Sequence, residues 1–238
     1  MMGRILAADW LKIRGKGLWL LILVGPLGLT AMQALNFGLR FDYMKRRYAG
    51  DLWGGLLDNT ALFVPMALFL GGTLVCSLMA NIEHQTSAWK QLLALPVSRI
   101  AVFASKLMLC LLLLAVSCLL LSGFVTALGL LFGFGASAIP VYGILRIGFL
   151  SCAAVMPFIA LQLWLSLAFR NQAMPVSIGV ICAIVSPFTA TLSEWLPINW
   201  PYLAWTGPHR LYFAGAGLAL ALLVLLPGAA HFARKDVN

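Results

Sequence analysis

The stretch "IEHQTSAWKQLLALPVSRI", residues 82–100, gathers an acid, two bases, a tryptophan and a proline between two long apolar runs. These residue types suit recognition better than bond-making. A carboxylate and cations can pair across an interface, and an indole can fill a pocket beside them. On a helix, Ile82, Trp89, Leu92 and Leu93 cluster on one side, with Glu83, Gln85 and Lys90 on the others. Pro96 ends that rhythm, and Ser98 can cap the helix that follows and carries Lys106. A helix with one apolar and one charged face needs two different neighbours. Membrane headgroups could satisfy the apolar side, whereas a docked protein would use both; the simpler alternative is a surface helix that only connects two spans.

Two further stretches hold candidate functional residues. In the N-terminal "GRILAADWLKIRGKG", Leu6, Trp10 and Ile13 fall at i, i+4 and i+7, while Arg4, Asp9, Lys12 and Lys16 lie elsewhere around the helix. That pattern predicts an interfacial helix lying along a leaflet; a merely solvated basic flank is the alternative. In "SEWLPINWPYLAWTGPHRLYF", 193–213, Trp195, Trp200, Tyr202 and Trp205 are residues expected at a headgroup boundary. Anchoring accounts for them, and a rim for an amphipathic substrate is the second possibility.

Catalytic and metal readings find little support. No H-E-x-x-H, G-x-S-x-G or G-x-x-x-x-G-K-[ST] occurs, and "RGKG" at 14–17 is too short to cradle a phosphate. The five cysteines lie in apolar runs without a C-x-x-C pair, and the three histidines are scattered, so neither a metal site nor a cofactor in this chain is expected. Nothing interleaves basic and aromatic residues as a nucleic-acid partner requires.

The elements that position these residues follow from composition. The 238 residues are 62% hydrophobic and 10% charged, with a mean hydropathy of +0.97. Soluble domains are nearer half apolar and a quarter charged, so the bilayer must be the solvent. Charges then punctuate the chain, because one at the bilayer centre costs roughly 2.5–3.5 kcal/mol. Six spans are expected, at about 17–39, 60–81, 103–132, 147–169, 172–193 and 212–232, in a single transmembrane domain over 1–238. Of the 16 Lys and Arg, six (Arg40, Lys45, Arg46, Arg47, Arg146, Arg210) fall in one set of connections and the other ten in the set holding both termini. The positive-inside bias puts both termini in the cytoplasm, and the 82–100 element with them. A cleaved signal peptide over 1–34 fits less well, since the apolar run is too long and no A-x-A site follows it. No Asp, Glu or Arg is expected mid-span, which leaves an ion relay without carriers.

The segments "ADWLKIRGKGLWLLILVGPL" at the start, "FVP" at 63–65, and "IEHQTSAWKQLLALPVSR" followed by Lys106 resemble the type-2 permeases of ABC transporters. Within them the chain is most similar to the small six-span subunits of lantibiotic immunity and bacitracin resistance. Position 9 is Asp where members often have Glu, and 87–88 is Ser-Ala where Gly-Thr is common.

The resemblance implies an all-α polytopic fold with an N-terminal elbow helix (Leu6, Trp10, Lys12, Ile13) and a cytoplasmic coupling helix between spans two and three. That helix would sit in a groove of an ATPase subunit, with Trp89, Lys90, Leu92 and Leu93 as contacts. Glu83 would anchor its start, and Pro96 to Arg99 would form the corner into the third span. It implies as partners two copies of a cytoplasmic ABC ATPase that binds ATP and Mg, a second permease subunit, homologous or identical, membrane lipid, and a peptide substrate. The function so implied is export of an amphipathic or hydrophobic substrate such as a lantibiotic. An ATP-independent transporter or channel, or a sensor or assembly factor that docks a cytoplasmic partner, remains the alternative.

Overall fold

The computed structural model describes residues 2–85 and 98–234, and every described element is helical. In chain order these are α1 (Met2–Ile13), α2 (Leu18–Leu39), α3 (Phe41–Arg47), α4 (Leu52–Ala61), α5 (Val64–Gln85), α6 (Arg99–Leu131), α7 (Val141–Ala154), α8 (Met156–Ala168), α9 (Ala173–Val185), α10 (Trp200–Thr206) and α11 (Arg210–Arg234), with short 3₁₀ turns at Ala136–Ala138 and Ser186–Thr191.

Four of these, α2, α5, α6 and α11, are long and apolar enough to cross a membrane. A fifth crossing is available if α7 and α8 count as one span bent by 51°. The bend has a local cause. Pro157 stands in the first turn of α8, where it offers no N–H to the preceding turn, so the ladder breaks at Val155. The stretch expected as a single span at 147–169 therefore falls across this broken pair. The stretch expected at 172–193 holds α9 and its 3₁₀ extension, which together form a shorter apolar helix, Ala173–Thr189.

Polar and apolar surfaces are arranged for a lipid solvent. Gln33, Thr73, Gln162 and Ser166 are buried, while large side chains such as Leu20, Leu131, Ile181, Leu222 and Leu226 point outward. The two glutamine amides among them find partners across helices. Gln33 Nε2 donates to the Asn59 carbonyl at 3.1 Å, and Gln162 Nε2 donates to the Pro175 carbonyl at 2.9 Å. With no water to replace them, such bonds fix which helices are neighbours.

Two ends of the bundle are set by contacts. At the α1 end, His84 Nε2 lies 3.3 Å from the Ser166 carbonyl, and the Phe103 and Phe232 rings meet at 6.0 Å. At the opposite end, Phe37, Phe132, Phe134 and Trp53 pack ring against ring, and the Trp205 indole donates to Asp58. α6 spans both ends: its 33 residues measure about 50 Å at 1.5 Å per residue, more than a ~30 Å hydrocarbon core requires. Its first two turns therefore reach the polar boundary.

α7 and α11 touch backbone to backbone. A Cβ on Gly217 would lie 2.7 Å from the Ala153 carbonyl oxygen and 2.7 Å from the Ala154 Cα, whereas a Cβ on Gly215 would meet nothing within 4 Å. Gly217→Ala is expected to destabilise the bundle by about 1–3 kcal/mol through overpacking. Gly215→Ala, two residues away on the exposed side of the same helix, should be neutral or stabilise by up to about 1 kcal/mol. Thermal melts of the two variants in detergent, moving in opposite directions, check this.

Candidate functional site

α1 ends where the chain must reverse. Gly15 and Gly17 adopt left-handed backbone, at φ 77° and 78°, which side chains with a Cβ rarely take, and the "RGKG" segment is the turn into α2. This turn folds α1 back against the start of α6. Leu6 is half-buried against the core and Ile13 is buried, but the centre of the buried stripe is Asp9, three residues after Leu6 and four before Ile13. Trp10, expected on the same apolar stripe, is 40% exposed and packs edge-on against Trp19 with ring centres 5.2 Å apart. The stripe is thus rotated from its expected position, because Asp9 has partners beneath it.

Those partners come from α5 and α6. Lys106 Nζ lies 3.4 Å from Asp9 Oδ1 and 2.8 Å from Glu83 Oε1. Ser105 Oγ donates to the other Asp9 oxygen, Oδ2, at 2.8 Å. Lys12 Nζ reaches Glu83 Oε1 at 3.0 Å, so one carboxylate oxygen receives two ammonium groups. The second oxygen, Oε2, is buried with no hydrogen-bond partner among the described residues. Two acids and two lysines leave the cluster with no net charge. Asp9, Glu83 and Lys106 are almost fully buried, and Lys12, with 34% of its side chain exposed, closes the open side.

Ion pairs out of water are stable only when their charges cancel and their remaining valences are bonded, and this cluster meets nearly all of that requirement. The cavity beside it is only about 10 Å³, close to a single water and far below a substrate site. Its chemistry is therefore mechanical: it fastens three helices at one point.

The joint sits at the base of the 86–97 connection. Glu83 is two residues from the end of α5 and Lys106 is seven residues into α6. Ser98 caps α6 as expected, accepting from the Ala101 N–H at 3.2 Å, and Arg99 opens the helix. A second clamp holds α5 from the other side. Ser77 Oγ donates to Gln172 Oε1 at 3.2 Å, and Gln172 Nε2 donates to the carbonyls of Ser166 and Phe169 at 2.9 and 2.7 Å. Trp89, Lys90, Leu92, Leu93 and Pro96, the contact and corner candidates, lie outside the described residues.

Three of the four aromatic residues expected at a substrate rim, Trp200, Tyr202 and Trp205, share α10. Trp195 is exposed, Trp200 donates its indole N–H to the Glu194 carbonyl at 2.8 Å, Tyr202 is half-buried, and Trp205 is buried with its N–H 2.8 Å from Asp58 Oδ1.

Sequence reading missed Asp9 and Ser105 as site residues and used Lys106 only as a marker of span entry. A signal was available. With 7 acids against 16 bases, each acid needs a reason, and an Asp spaced between Leu6 and Ile13 on a helix is turned toward the core side.

A family model described as "ABC-2 family transporter protein" matches residues 5–186, a range that includes α1, α5, the 86–97 connection and α6. Comparison with curated proteins and with solved structures gives no significant match.

The joint predicts a ranking. Lys106→Met keeps the buried stem but strands Asp9, and should cost about 3–5 kcal/mol. Lys12→Met loses a partly solvated pair and should cost at most about 1 kcal/mol. Adding Asp9→Asn to Lys106→Met should recover part of the loss. A double-mutant cycle on melting in detergent measures the coupling, and strict additivity would show that the two groups act independently.

Proposed function

The chain belongs to the ABC-2 transporter family, and on that premise we propose that it is the permease subunit of an ABC exporter. It is a multi-pass membrane component without a catalytic site of its own. In this reading it crosses the bilayer six times, by α2, α5, α6, the bent α7–α8 pair, α9 with its 3₁₀ extension, and α11. Both termini lie in the cytoplasm, α1 is the interfacial elbow, and the 86–97 connection is the element that an ATPase subunit grips. Trp89, Lys90, Leu92 and Leu93 supply the contacts, with Arg99 at the corner into α6.

The observation that carries this reading is the Asp9–Lys106–Glu83–Lys12 cluster. Both stems of the connection end in it, and so does α1. A force applied to 86–97 therefore cannot move α5 alone: the shared ammonium carries α6 and α1 along, and α1 is tied through Gly15–Gly17 to α2. A partner ATPase supplies the free energy of ATP hydrolysis, with Mg in its own site. The residues of this chain receive the resulting displacement and pass it to the span helices. Coupling of this kind needs a stiff joint, and a neutral, buried, hydrogen-bonded one is stiffer than solvated side chains.

Two ATPase copies and a second permease subunit complete the assembly. A chain with few polar residues in its spans offers little conduit alone, and an interface between two such chains offers more. The substrate is an amphipathic or hydrophobic molecule taken from the membrane. The resemblance to lantibiotic-immunity and bacitracin-resistance permeases favours an antimicrobial peptide.

The test is purification of the tagged chain in detergent from its native host, with mass spectrometry of what accompanies it. A stoichiometric ABC ATPase is expected, and it should be lost when residues 86–97 are scrambled. Trp89→Ala and Lys90→Glu should leave membrane insertion intact and uncouple ATP hydrolysis from transport or resistance. A preparation devoid of ATPase, or both variants behaving as wild type, would overturn the reading.

A further inference from the structure

At the end of the bundle opposite α1, the first residues of α7 and α11 and the end of α10 enclose an open cleft of about 540 Å³. Its wall includes Tyr142, Arg146, His209, Arg210 and Tyr212. Arg146 stacks on the Trp205 ring, with Cζ 4.5 Å from the ring centre, and lies 5.5 Å from the Tyr142 ring. Arg210 approaches the same indole from the cleft, at 6.0 Å. The indole is itself fixed, since its N–H donates to Asp58 Oδ1 at 2.8 Å.

This arrangement holds two cations close together without neutralising them. Neither guanidinium forms an ion pair among the described residues. The Arg146 Nε is buried and has no hydrogen-bond acceptor. One nearby carboxylate, Asp58, has an oxygen committed to the indole. Aromatic faces stabilise a guanidinium without using its N–H groups, so apart from the bond between Arg146 and the Tyr142 hydroxyl the donor forks stay available. The first turn of α11, a 25-residue helix, opens on the same cleft and adds the positive end of its dipole. A buried donor without an acceptor is costly, and an anion seated here would relieve both that cost and the repulsion between the arginines.

We propose that this cleft binds a phosphate group carried on a membrane amphiphile, in effect a lipid phosphate headgroup. A carboxylate matches one guanidinium fork with its two oxygens; a phosphate presents further acceptor oxygens and can bridge two forks and the helix terminus at once. The flanking surface selects an amphiphile over a free ion. Tyr142 and Tyr212 are exposed at the mouth, as tyrosines are at a headgroup boundary. From there Val141, Leu145 and Phe149 run along α7 at i, i+4 and i+8, and Leu211, Leu218 and Leu222 along α11, all exposed. Acyl chains would lie on these residues while the phosphate occupies the cleft. The permease reading enters only in naming the leaflet, which is the outer one; the binding itself does not depend on an ATPase.

The test uses the full chain in a neutral detergent. Short-chain phosphatidylglycerol, short-chain diacylglycerol and inorganic phosphate are titrated separately, with bound stoichiometry read by native mass spectrometry and stabilisation by thermal shift. Phosphatidylglycerol should bind saturably and the other two should not. The double variant Arg146→Gln/Arg210→Gln should weaken it by about tenfold or more, with the double Arg→Lys variant between it and wild type. Arg210→Gln alone, at an exposed position that cannot unfold the bundle, should still lower affinity measurably. Equal binding of diacylglycerol would mean that only the tails are recognised, and equal binding of inorganic phosphate would assign the cleft to a soluble anion. Unchanged affinity in the Gln variants would place the lipid elsewhere. Each of these results overturns the proposal. ATPase co-purification with the double variant is expected to persist, so a failure here is distinguishable from a failure of the permease reading.

Discussion

An ammonium group with almost no exposed surface, seated at the edge of a stack of apolar helices, is costly to bury unless the chain brings it enough negative charge. Lys106 is in that position, and the chain brings it two carboxylates from different helices. Asp9 fixes how α1 is rotated, and Glu83 fixes where α5 ends relative to α6. Ser105 takes up the remaining Asp9 oxygen. The geometry of the whole α1 end follows from this requirement. Although most residues of helix α1 are apolar, it is the carboxylate of Asp9, rather than Trp10, that faces the bundle.

The rest of the fold obeys the same rule with weaker groups. Gln33, Gln162, Ser77 and Gln172 each bond across a helix boundary or onto the break of a helix. In a lipid solvent apolar burial does little to choose among helix partners, since lipid tails are as apolar as leucine. Close approach and hydrogen bonds must choose instead. Gly217 against the backbone of Ala153 and Ala154 represents the first, and Gln162 to the carbonyl of Pro175 the second.

How much of this was legible in the sequence depends on which physics set it. Span positions set by hydrocarbon thickness were readable from charge spacing: α2, α5, α6 and α11 lie where uncharged runs predict helices. The Ser98 cap was readable as local chemistry. The break at Val155 was not, although Pro157 was visible, because prolines at 26 and 227 are accommodated inside continuous helices and only tertiary packing separates the cases. The joint was half legible. Glu83 stood out in its polar neighbourhood, whereas Asp9 was read as one charge among several on a basic flank. Positive-inside bias explains bases near a membrane and says nothing about acids, so the acids carried the unexplained information.

The two ends of the molecule treat charge in opposite ways. At the α1 end two acids and two bases cancel inside packed helices, and the space left beside them holds no more than about a water. At the other end two arginines share one indole, lack a paired carboxylate among the described residues, and face an open cleft about fifty times larger in volume. A charge-balanced cluster packed with no room for a ligand resists displacement, so it transmits position. An unsaturated one keeps its donors free and its field uncompensated, so it attracts an anion. Charge balance and the space left beside the charges separate a joint from a binding surface here: basic groups and carboxylates occur at both ends, and what differs is how many of their partners the chain itself provides.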